Sequence, residues 1–191
     1  MADRFKRILR KTYKGVRESL PIAFQHDAAA NVFTQIRALP QYRKAKRIAL
    51  YQAVQGEINL HALWHSAPLQ GKFCYFPSLN DDKTLSFLPA SPATAFKKNR
   101  FQIEEPDVDK ENALSPDQLD LLFVPLLAFD TQGTRLGMGA GYYDRTLAHY
   151  PETQLIGIAY DFQRAPFLKP QPWDIPLTAI ITPNHIYWSP K

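Results

Sequence analysis

An apolar run, a glycine-rich loop and the start of a helix follow one another at residues 121–147, and this segment constrains the fold most. Residues 121–124 are Leu-Leu-Phe-Val, which is typical of a strand buried on both faces in a sheet covered by helices. Half of the eight glycines follow within nine residues, at Gly133, Gly137, Gly139 and Gly141. This order of strand, glycine loop and helix predicts an α/β fold.

The composition of the glycine loop allows two interpretations. Glycine tolerates positive φ and has no Cβ to keep a ligand away from backbone amides, so such a loop can bind an anion. The flanking Arg135 and Arg145 would add permanent positive charge. Glycines at these positions are equally typical of a tight turn without a ligand. The spacing matches neither the P-loop nor the Rossmann G-x-G-x-x-G pattern, because Tyr142 and Tyr143 follow the last glycine.

The composition predicts one compact domain. The 191 residues are 45% hydrophobic, which is enough for one sizeable core and too little chain for two ordinary domains. The single Cys74 excludes an internal disulfide framework, and the pair His61 and His65 has no third metal ligand at a motif spacing. No stretch approaches twenty apolar residues and the charged N-terminus has no apolar signal core. We therefore expect a cytoplasmic protein without a membrane partner.

Hydrophobic periodicity predicts the remaining elements. Amphipathic helices are expected at residues 4–20 and about 27–39, and a further helix at 142–150. Apolar runs predict further strands at residues 46–51, 72–76, 84–88, 154–160 and 177–182. A rigid, irregular loop is expected over the proline-rich residues 164–176. We predict a single-domain, three-layer α/β sandwich over residues 1–191, with a mostly parallel or mixed central sheet flanked by helices. Its ligand site would lie at the carboxyl ends of the strands and at the glycine loop.

The first predicted helix is strongly basic. Seven lysines and arginines lie within the first seventeen residues, and the net charge of the chain is +5. A solvated helix face, a nucleotide phosphate site and an RNA-binding face all fit this charge, but no nucleic-acid motif supports the RNA alternative. Apolar residues recur at helical spacing and are expected to pack inward: Phe5, Ile8, Leu9, Val16 and Leu20. Lys6, Arg10 and Arg17 would then project elsewhere.

The order of residues in the glycine loop favours the ligand interpretation. The run GTRLGMGAGYYDR at residues 133–145 closely resembles the signature of the 5-formyltetrahydrofolate cyclo-ligase family, also called methenyltetrahydrofolate synthetase. The resemblance reaches from Lys6 to Thr182. It implies an enzyme that uses ATP and Mg²⁺ to convert 5-formyltetrahydrofolate irreversibly to 5,10-methenyltetrahydrofolate, ADP and phosphate. The γ-phosphate would pass to the N5-formyl oxygen, and N10 would attack the resulting iminium phosphate.

The resemblance also implies the roles of individual residues. Arg135 and Arg145 are candidate catalytic cations, and Asp144 and Asp174 match acidic positions that would hold Mg²⁺. The implied ATP contacts are Lys6, Arg10, Arg135, Leu136, Gly137, Met138, Gly139, Ala140, Gly141, Tyr142 and Tyr143. The implied folate contacts are Gln52, Glu57, Phe101, Met138 and Tyr142. Without the resemblance, Glu57 and Asp144 are typical helix-starting acids and Asp174 a turn residue.

The basic segment FKKNRFQIEEP at residues 96–106 is either a solvated connection or part of the folate site. The resemblance places it beside the folate pocket, where Phe101 could stack on the flat pterin ring. Lys97, Lys98 and Arg100 could then meet the anionic glutamate tail of a polyglutamylated substrate. We expect a monomer that binds small molecules and no nucleic acid.

Some residues depart from the family pattern. Met138 stands where an arginine is common, Ala140 replaces a glycine or basic residue, Trp173 stands where histidine is frequent, and Thr178 replaces an acid. The glycine loop therefore carries less charge than in many relatives. Two other functions stay open: a non-catalytic protein that sequesters folates, which the loss of charge at Met138 favours, and an RNA-binding module that uses the basic helix.

Overall fold

The computed structural model describes residues 2–190, with side chains from Arg4 onward. Met1 and Lys191, which the predicted domain includes, lie outside the described residues. The helices are α1 (Ala2–Glu18), α2 (Ile22–Ala38), α3 (Pro40–Lys44), α4 (His61–Ser66) and α5 (Tyr142–Leu147). Strands of the first half are β1 (Arg47–Ala49), β2 (Phe73–Leu79), β3 (Leu85–Pro89), β4 (Phe96–Lys98) and β5 (Glu104–Pro106). Those of the second half are β6 (Leu121–Pro125), β7 (Ala128–Phe129), β8 (Arg135–Leu136), β9 (Leu155–Ile158), β10 (Ala179–Ile181) and β11 (Ile186–Trp188).

Seven strands form the central sheet in the order β11, β10, β9, β6, β1, β2, β3. The five inner strands are parallel, and β3 and β11 pair antiparallel at the two edges. The register pairs Ile48 of β1 with Cys74 of β2 on one side and with Leu121 of β6 on the other. From the neighbouring strands β1 and β6, the chain adds strands in opposite directions: β2 and β3 lie beyond β1, and β9, β10 and β11 lie beyond β6. The predicted mixed sheet flanked by helices is confirmed.

The sheet is buried on both faces because its inner strands are apolar at successive positions. One face packs on α2 and α4, with Val32 and Ile36 of α2 fully buried against Phe123 of β6. The other face packs on α5 and the β7–β8 hairpin, with Leu147 and Phe129 buried there. Alternate strand residues therefore enter two separate cores, as a three-layer α/β arrangement requires.

The prediction for the orientation of α1 was wrong. Phe5, Ile8 and Val16, which were expected to pack inward, are 59%, 53% and 42% exposed. Arg17, which was expected to project elsewhere, is only 1% exposed. Of the predicted stripe, Leu9 packs together with Tyr13 on a small cluster beneath the helix, and Leu20, just beyond the end of α1, packs against the core on the α2 face. The contacts that orient α1 are mostly polar, which a hydrophobic pattern cannot reveal.

Short elements were also missed. The predicted loop at 96–106 is a β4–β5 hairpin, and the glycine-rich segment begins with the β7–β8 hairpin. Strand β11 follows the predicted end of the sheet. The predicted helix at 142–150 ends at Leu147, whereas the proline-rich loop is irregular as expected. None of the helices within residues 2–190 is long and apolar enough to cross a membrane.

Candidate functional site

The carboxyl ends of β1 and β6 define the candidate site. In an open α/β sheet, a crevice forms where two neighbouring parallel strands send their following loops in opposite directions. Here the loop after β1 contains Gln52 and Glu57, and the chain after β6 leads into the glycine loop. Residues of α1, the β4–β5 hairpin and the proline-rich loop reach the same region. The structure therefore brings most of the predicted site residues to one end of the sheet.

The first glycine of the loop has a structural role. Gly133 lies in the turn between β7 and β8 with φ of 86°, and a Cβ there would come within 2.4 Å of Ser189 Oγ. Asp130 closes the turn, since its Oδ1 accepts hydrogen bonds at 3.0 Å from the backbone N–H groups of Gln132 and Thr134. The ligand interpretation of the loop thus concerns the later glycines, and Gly133 belongs to a tight turn.

Arg10 of α1 spans the middle of the glycine loop. Its Nε donates a 2.9 Å hydrogen bond to the backbone oxygen of Gly137. A Cβ on Gly139, whose φ is 98°, would lie 3.2 Å from Arg10 Cζ. The glycine therefore permits the guanidinium to lie close against the loop, and the positive charge predicted for phosphate binding lies beside the loop backbone.

Two ion pairs join the predicted cations to the predicted metal ligands. Arg135, at the end of the β7–β8 hairpin, donates from Nη2 to Asp144 Oδ1 and from Nη1 to the backbone oxygen of Ile175. Lys6 Nζ lies 3.4 Å from Asp174 Oδ2. Burial lowers the pKa of Arg135, and the charges of Asp144 and Asp174 both oppose this shift. Both carboxylates therefore lie near one buried guanidinium, although the residues are far apart in sequence.

Arg145, the second candidate catalytic cation, folds back on the glycine loop. Its guanidinium donates to the backbone oxygen of Ala140 and, at 3.1 Å from Nε, to that of Lys83. Its Cζ also lies 5.6 Å from the centre of the Tyr142 ring, within the range of a cation–π contact. Arg145 remains exposed to solvent and thus accessible to a ligand.

The β4–β5 hairpin presents an aromatic and a cation to the start of α5. Phe101 lies edge-on to Tyr142 with ring centroids 6.2 Å apart, and Arg100 donates to the Tyr142 hydroxyl. Buried Glu105 anchors this hairpin, because its carboxylate accepts hydrogen bonds from Ser78 Oγ at 2.7 Å, from the Leu79 backbone N–H and from Asn99 Nδ2. Phe101 itself is 53% exposed and free to contact a planar ligand.

Glu57 is the buried carboxylate of the site. A tight turn holds it: the Glu57 N–H donates to Val54 O at 3.0 Å, and the Val54 N–H donates to Glu57 Oε2 at 3.1 Å. Burial raises the pKa of Glu57 to about 7, although the charge of Arg17 opposes this shift. Burial and the charge of Glu57 also raise the pKa of Tyr143, which connects Glu57 with the glycine-loop side. A carboxylate with this pKa can exchange a proton or hydrogen-bond a ligand near neutral pH.

The other predicted contacts differ in their burial and in their partners. Gln52 is half-buried in the loop after β1, and Met138 is 48% exposed on the glycine loop. Leu136 lies in β8 with its side chain buried beneath α1. Lys97, a candidate for the glutamate tail, pairs instead with Asp107 at 2.7 Å. Among the side chains that the structure describes, from Arg4 to residue 190, no three of His, Cys, Asp or Glu are grouped to hold a metal.

Sequence reasoning missed Arg17, which contacts the Glu57 turn. The signal was present in the spacing of the basic residues. Lys6, Arg10, Tyr13 and Arg17 fall within about 60° of one another on a helix with 3.6 residues per turn. All four point into the molecule, and three of them are cations, so this polar stripe identifies the inward face of α1 better than the apolar residues do.

Comparisons with known proteins find relatives along almost the whole chain. The sequence model of the 5-formyltetrahydrofolate cyclo-ligase family matches residues 2–183. A 5-formyltetrahydrofolate cyclo-ligase of Haemophilus influenzae is 40% identical over 177 residues, or 91% of this chain and 95% of the relative. That of Escherichia coli K12 is 36% identical over 176 residues, or 90% of this chain and 96% of the relative.

A solved structure shows the same architecture. The NMR structure of Aquifex aeolicus 5,10-methenyltetrahydrofolate synthetase matches with a TM-score of 0.85 at 31% identity, covering 97% of this chain and 93% of that chain. The similarity therefore includes the sheet, α1 and the loops of the site together. The chain is an enzyme of the 5-formyltetrahydrofolate cyclo-ligase family.

Proposed function

We propose that the chain converts 5-formyltetrahydrofolate to 5,10-methenyltetrahydrofolate with consumption of ATP and Mg²⁺ and release of ADP and phosphate. One observation carries the proposal: the cations Lys6, Arg10 and Arg135 and the carboxylates Asp144 and Asp174 converge on a glycine loop beside a buried carboxylate. Phosphoryl transfer depends mainly on positioning and charge neutralisation, and this arrangement supplies both.

The chemistry explains why no protein nucleophile is needed. The N5-formyl oxygen attacks the γ-phosphorus, the bond to the β,γ-bridging oxygen breaks, and ADP leaves. N10 then attacks the activated formyl carbon and loses its proton. The former formyl oxygen departs with phosphate, which leaves the 5,10-methenyl bridge as a delocalised cation. Each step needs oriented cations and backbone amides, with the two substrates held in contact.

The two ion pairs support a role in binding ATP together with Mg²⁺. Asp144 and Asp174 are hard oxygen donors, and Mg²⁺ commonly takes one or two carboxylates together with phosphate oxygens and water. When bound, Mg²⁺ neutralises phosphate charge and orients the transferred group. Lys6 and Arg135, which contact these carboxylates here, would then be free to contact phosphate oxygens. The metal would take the carboxylates and the phosphates would take the two cations, so each ligand would release the partner that the other needs. Binding of ATP and metal should therefore be cooperative.

The folate would bind between the loop after β1 and the β4–β5 hairpin. Glu57 can hydrogen-bond the pterin ring, which carries several N–H donors. Phe101 and Tyr142 offer aromatic surface for the flat ring. Lys98 and Arg100 are exposed on the hairpin and would meet the carboxylates of a polyglutamate tail. Arg135 and Arg145 would stabilise charge on the transferred phosphoryl group.

The test is absorbance of the methenyl product. Purified protein with 5-formyltetrahydrofolate, ATP and Mg²⁺ should form the product with ADP in equal amounts, and the same mixture without ATP or with excess chelator should form none. Folded protein that forms no product with every component present would reject the proposal. Folate binding by calorimetry without ADP release would instead establish the sequestering function that uncharged Met138 favours.

The same proposal includes the cellular compartment and the oligomeric state of the enzyme. We place the reaction in the cytoplasm, where the single buried Cys74 would remain a reduced thiol. The enzyme would act as a monomer. Light scattering at the concentrations used for the assay, with and without both substrates, tests this; a dimer under either condition would contradict it.

A further inference from the structure

Arg17 is a buried charge that the proposed chemistry does not yet use. It lies at the carboxyl end of α1 and is only 1% exposed. Its Nε donates a 2.9 Å hydrogen bond to Gln55 O, and its Nη1 donates a 3.0 Å hydrogen bond to Leu126 O. Burying an arginine is unfavourable unless its donors are satisfied and its charge is compensated. We therefore ask which groups of the site satisfy its donors and compensate its charge.

The two hydrogen bonds connect the loops that form the crevice. Gln55 lies in the loop after β1, and Leu126 follows β6 directly. Arg17 thus links the two loops at the point where the sheet order diverges. Gln163 Nε2 also donates to Leu126 O at 2.8 Å, so the β6 side of this link is itself fixed.

The remaining nitrogen of the Arg17 guanidinium, Nη2, faces Glu57. Arg17 Nη2 lies 3.4 Å from Glu57 Oε1 and has no hydrogen-bond partner among the described residues. Close packing of the turn makes this approach specific: a Cβ on Gly56 would lie 2.4 Å from the Arg17 backbone oxygen. The charge and the turn that carries Glu57 are therefore held as one unit.

We infer that Arg17 is a positioning residue, which fixes the Glu57 carboxylate for the folate by tying the loop after β1 to the loop after β6. This inference rests on the proposed function, because it assumes that Glu57 contacts the substrate. Arg17 itself acts through Glu57 and touches neither ATP nor the transferred phosphoryl group. Its loss therefore weakens folate binding much more than ATP binding.

The groups around Glu57 set the expected pH effect. Arg17 of α1 is the cation that faces it, and the phenols of Tyr51, Tyr143 and Tyr160 lie around it on the other elements. The Tyr51 hydroxyl donates to Ile58 O at 2.6 Å and the Tyr160 hydroxyl to Gly56 O at 3.0 Å, so both phenols hold the backbone. Arg17 thus favours the ionised carboxylate, and its removal moves the ionisation of Glu57 to higher pH.

The experiment compares Arg17→Met and Arg17→Lys with Arg7→Met, a matched substitution on an exposed position of the same helix. We expect Arg17→Met to raise the KM for 5-formyltetrahydrofolate by about tenfold or more, the effect of losing a charged contact in a buried site. The KM for ATP should change by less than about twofold. Arg17→Lys, which keeps the charge with fewer donors, should lie between, and Arg7→Met should match the wild type.

A double-substitution cycle separates positioning from general structural support. If Arg17 acts through Glu57, Arg17→Met should add little to the folate KM of Glu57→Gln, because the contact is already gone. Full additivity, or equal increases in both KM values, would overturn the inference, as would a lowered melting temperature with an unchanged folate KM. The pH midpoint of folate binding, followed by calorimetry, should move upward in Arg17→Met, which removes the charge, and less in Arg17→Lys; an unchanged midpoint in folded Arg17→Met would also overturn it.

Failure of the inference is distinguishable from failure of the proposed function. Wild-type protein that forms no methenyl product rejects the function before any variant is made. Wild-type protein that is active, with variants that fail these criteria, rejects only the role of Arg17. Circular dichroism of each variant identifies those that do not fold, and Arg17→Lys keeps the test valid if Arg17→Met is one of them.

Discussion

Arg135 and Asp144 form an ion pair across the glycine loop, with the arginine side chain almost fully buried and the carboxylate partly exposed. The hairpin β7–β8 positions the arginine, and α5 positions the acid. The pair holds together the two ends of the segment that we propose to bind ATP. A residue assigned to the metal and a residue assigned to phosphate thus neutralise each other.

Asp144→Asn should separate the metal role from the structural one. The amide can still accept the hydrogen bond from Arg135 but binds Mg²⁺ poorly, so we expect kcat/KM to fall at least about a hundredfold, or about 2.7 kcal/mol. The Mg²⁺ concentration that gives half the maximal rate should rise. Steady-state assays over a Mg²⁺ series check this, with exposed Asp27→Asn as the control. An unchanged Mg²⁺ requirement would remove Asp144 from the metal site.

Lys6→Ala should weaken ATP binding selectively. Lys6 is partly buried at Asp174, whereas Lys11 on the same helix is exposed. Because a lysine ammonium binds phosphate as a point charge, its loss should raise the KM for ATP about tenfold with little change in the folate KM. Lys11→Ala is the matched control and should behave as wild type. Equal effects of both substitutions would mean that only the overall charge of α1 matters.

Arg145→Ala should lower kcat more than it raises either KM. Its guanidinium supports the backbone at Ala140 and remains accessible to a transferred phosphoryl group. Loss of one cation that acts in the transition state costs about a hundredfold in rate. Arg47→Ala, exposed at the opposite end of β1, serves as control in the same kinetic assay. Unchanged kcat for Arg145→Ala would exclude it from catalysis.

Gly56→Ala should disturb both the fold and the folate site. Gly56 and Gly71 have similar positive φ of 75° and 69°, but a Cβ on Gly56 would clash with α1, whereas one on Gly71 would meet nothing within 4 Å. Gly71→Ala therefore reports the backbone penalty alone, about 1 kcal/mol. Gly56→Ala should cost at least about 1–3 kcal/mol more and raise the folate KM. Urea denaturation compares the two; equal losses would mean that the turn can move away from Arg17.

The ionisation of Glu57 should make stability depend on pH. Its pKa is raised from the ordinary 4.5 to about 7 by burial. In this range the folded chain binds a proton that the unfolded chain has released, so stability falls as pH rises from about 4.5 to 7. The limiting slope is about 1.4 kcal/mol per pH unit. Urea denaturation across this range should show a shallower decline for Glu57→Gln, while exposed Glu104→Gln should retain the wild-type slope. Equal slopes in wild type and Glu57→Gln would contradict the raised pKa.

The elements that the sequence predicted well are those whose burial is apolar. Residues 121–124 are buried on both faces, and their continuous apolar run allows one interpretation. Likewise, the helical spacing of Val32 and Ile36 predicted α2 correctly. The helix begins at Ile22, earlier than the expected residue 27. Both predictions depend on local sequence alone, which is why a periodicity argument suffices.

The elements that the sequence did not predict depend on distant polar partners. The orientation of α1 is set by contacts from Arg10 to Gly137 and from Arg17 to Leu126, more than a hundred residues away. Strands β7 and β8 contain only two residues each and are defined by the turn that Asp130 closes. For the site, the loop motif predicted which residues belong to it, but the link between Arg17 and Glu57 requires the positions of α1 and of two separate loops.

The two antiparallel edge strands govern how this sheet meets other molecules. A parallel core with open edges would expose rows of unpaired backbone groups to which another chain could add. Here β11 is only three residues long and β3 ends at Pro89, whose nitrogen has no proton to donate. Both edges therefore offer a poor template for strand addition. The protein gains resistance to sheet-mediated self-association from elements that take no part in the proposed chemistry.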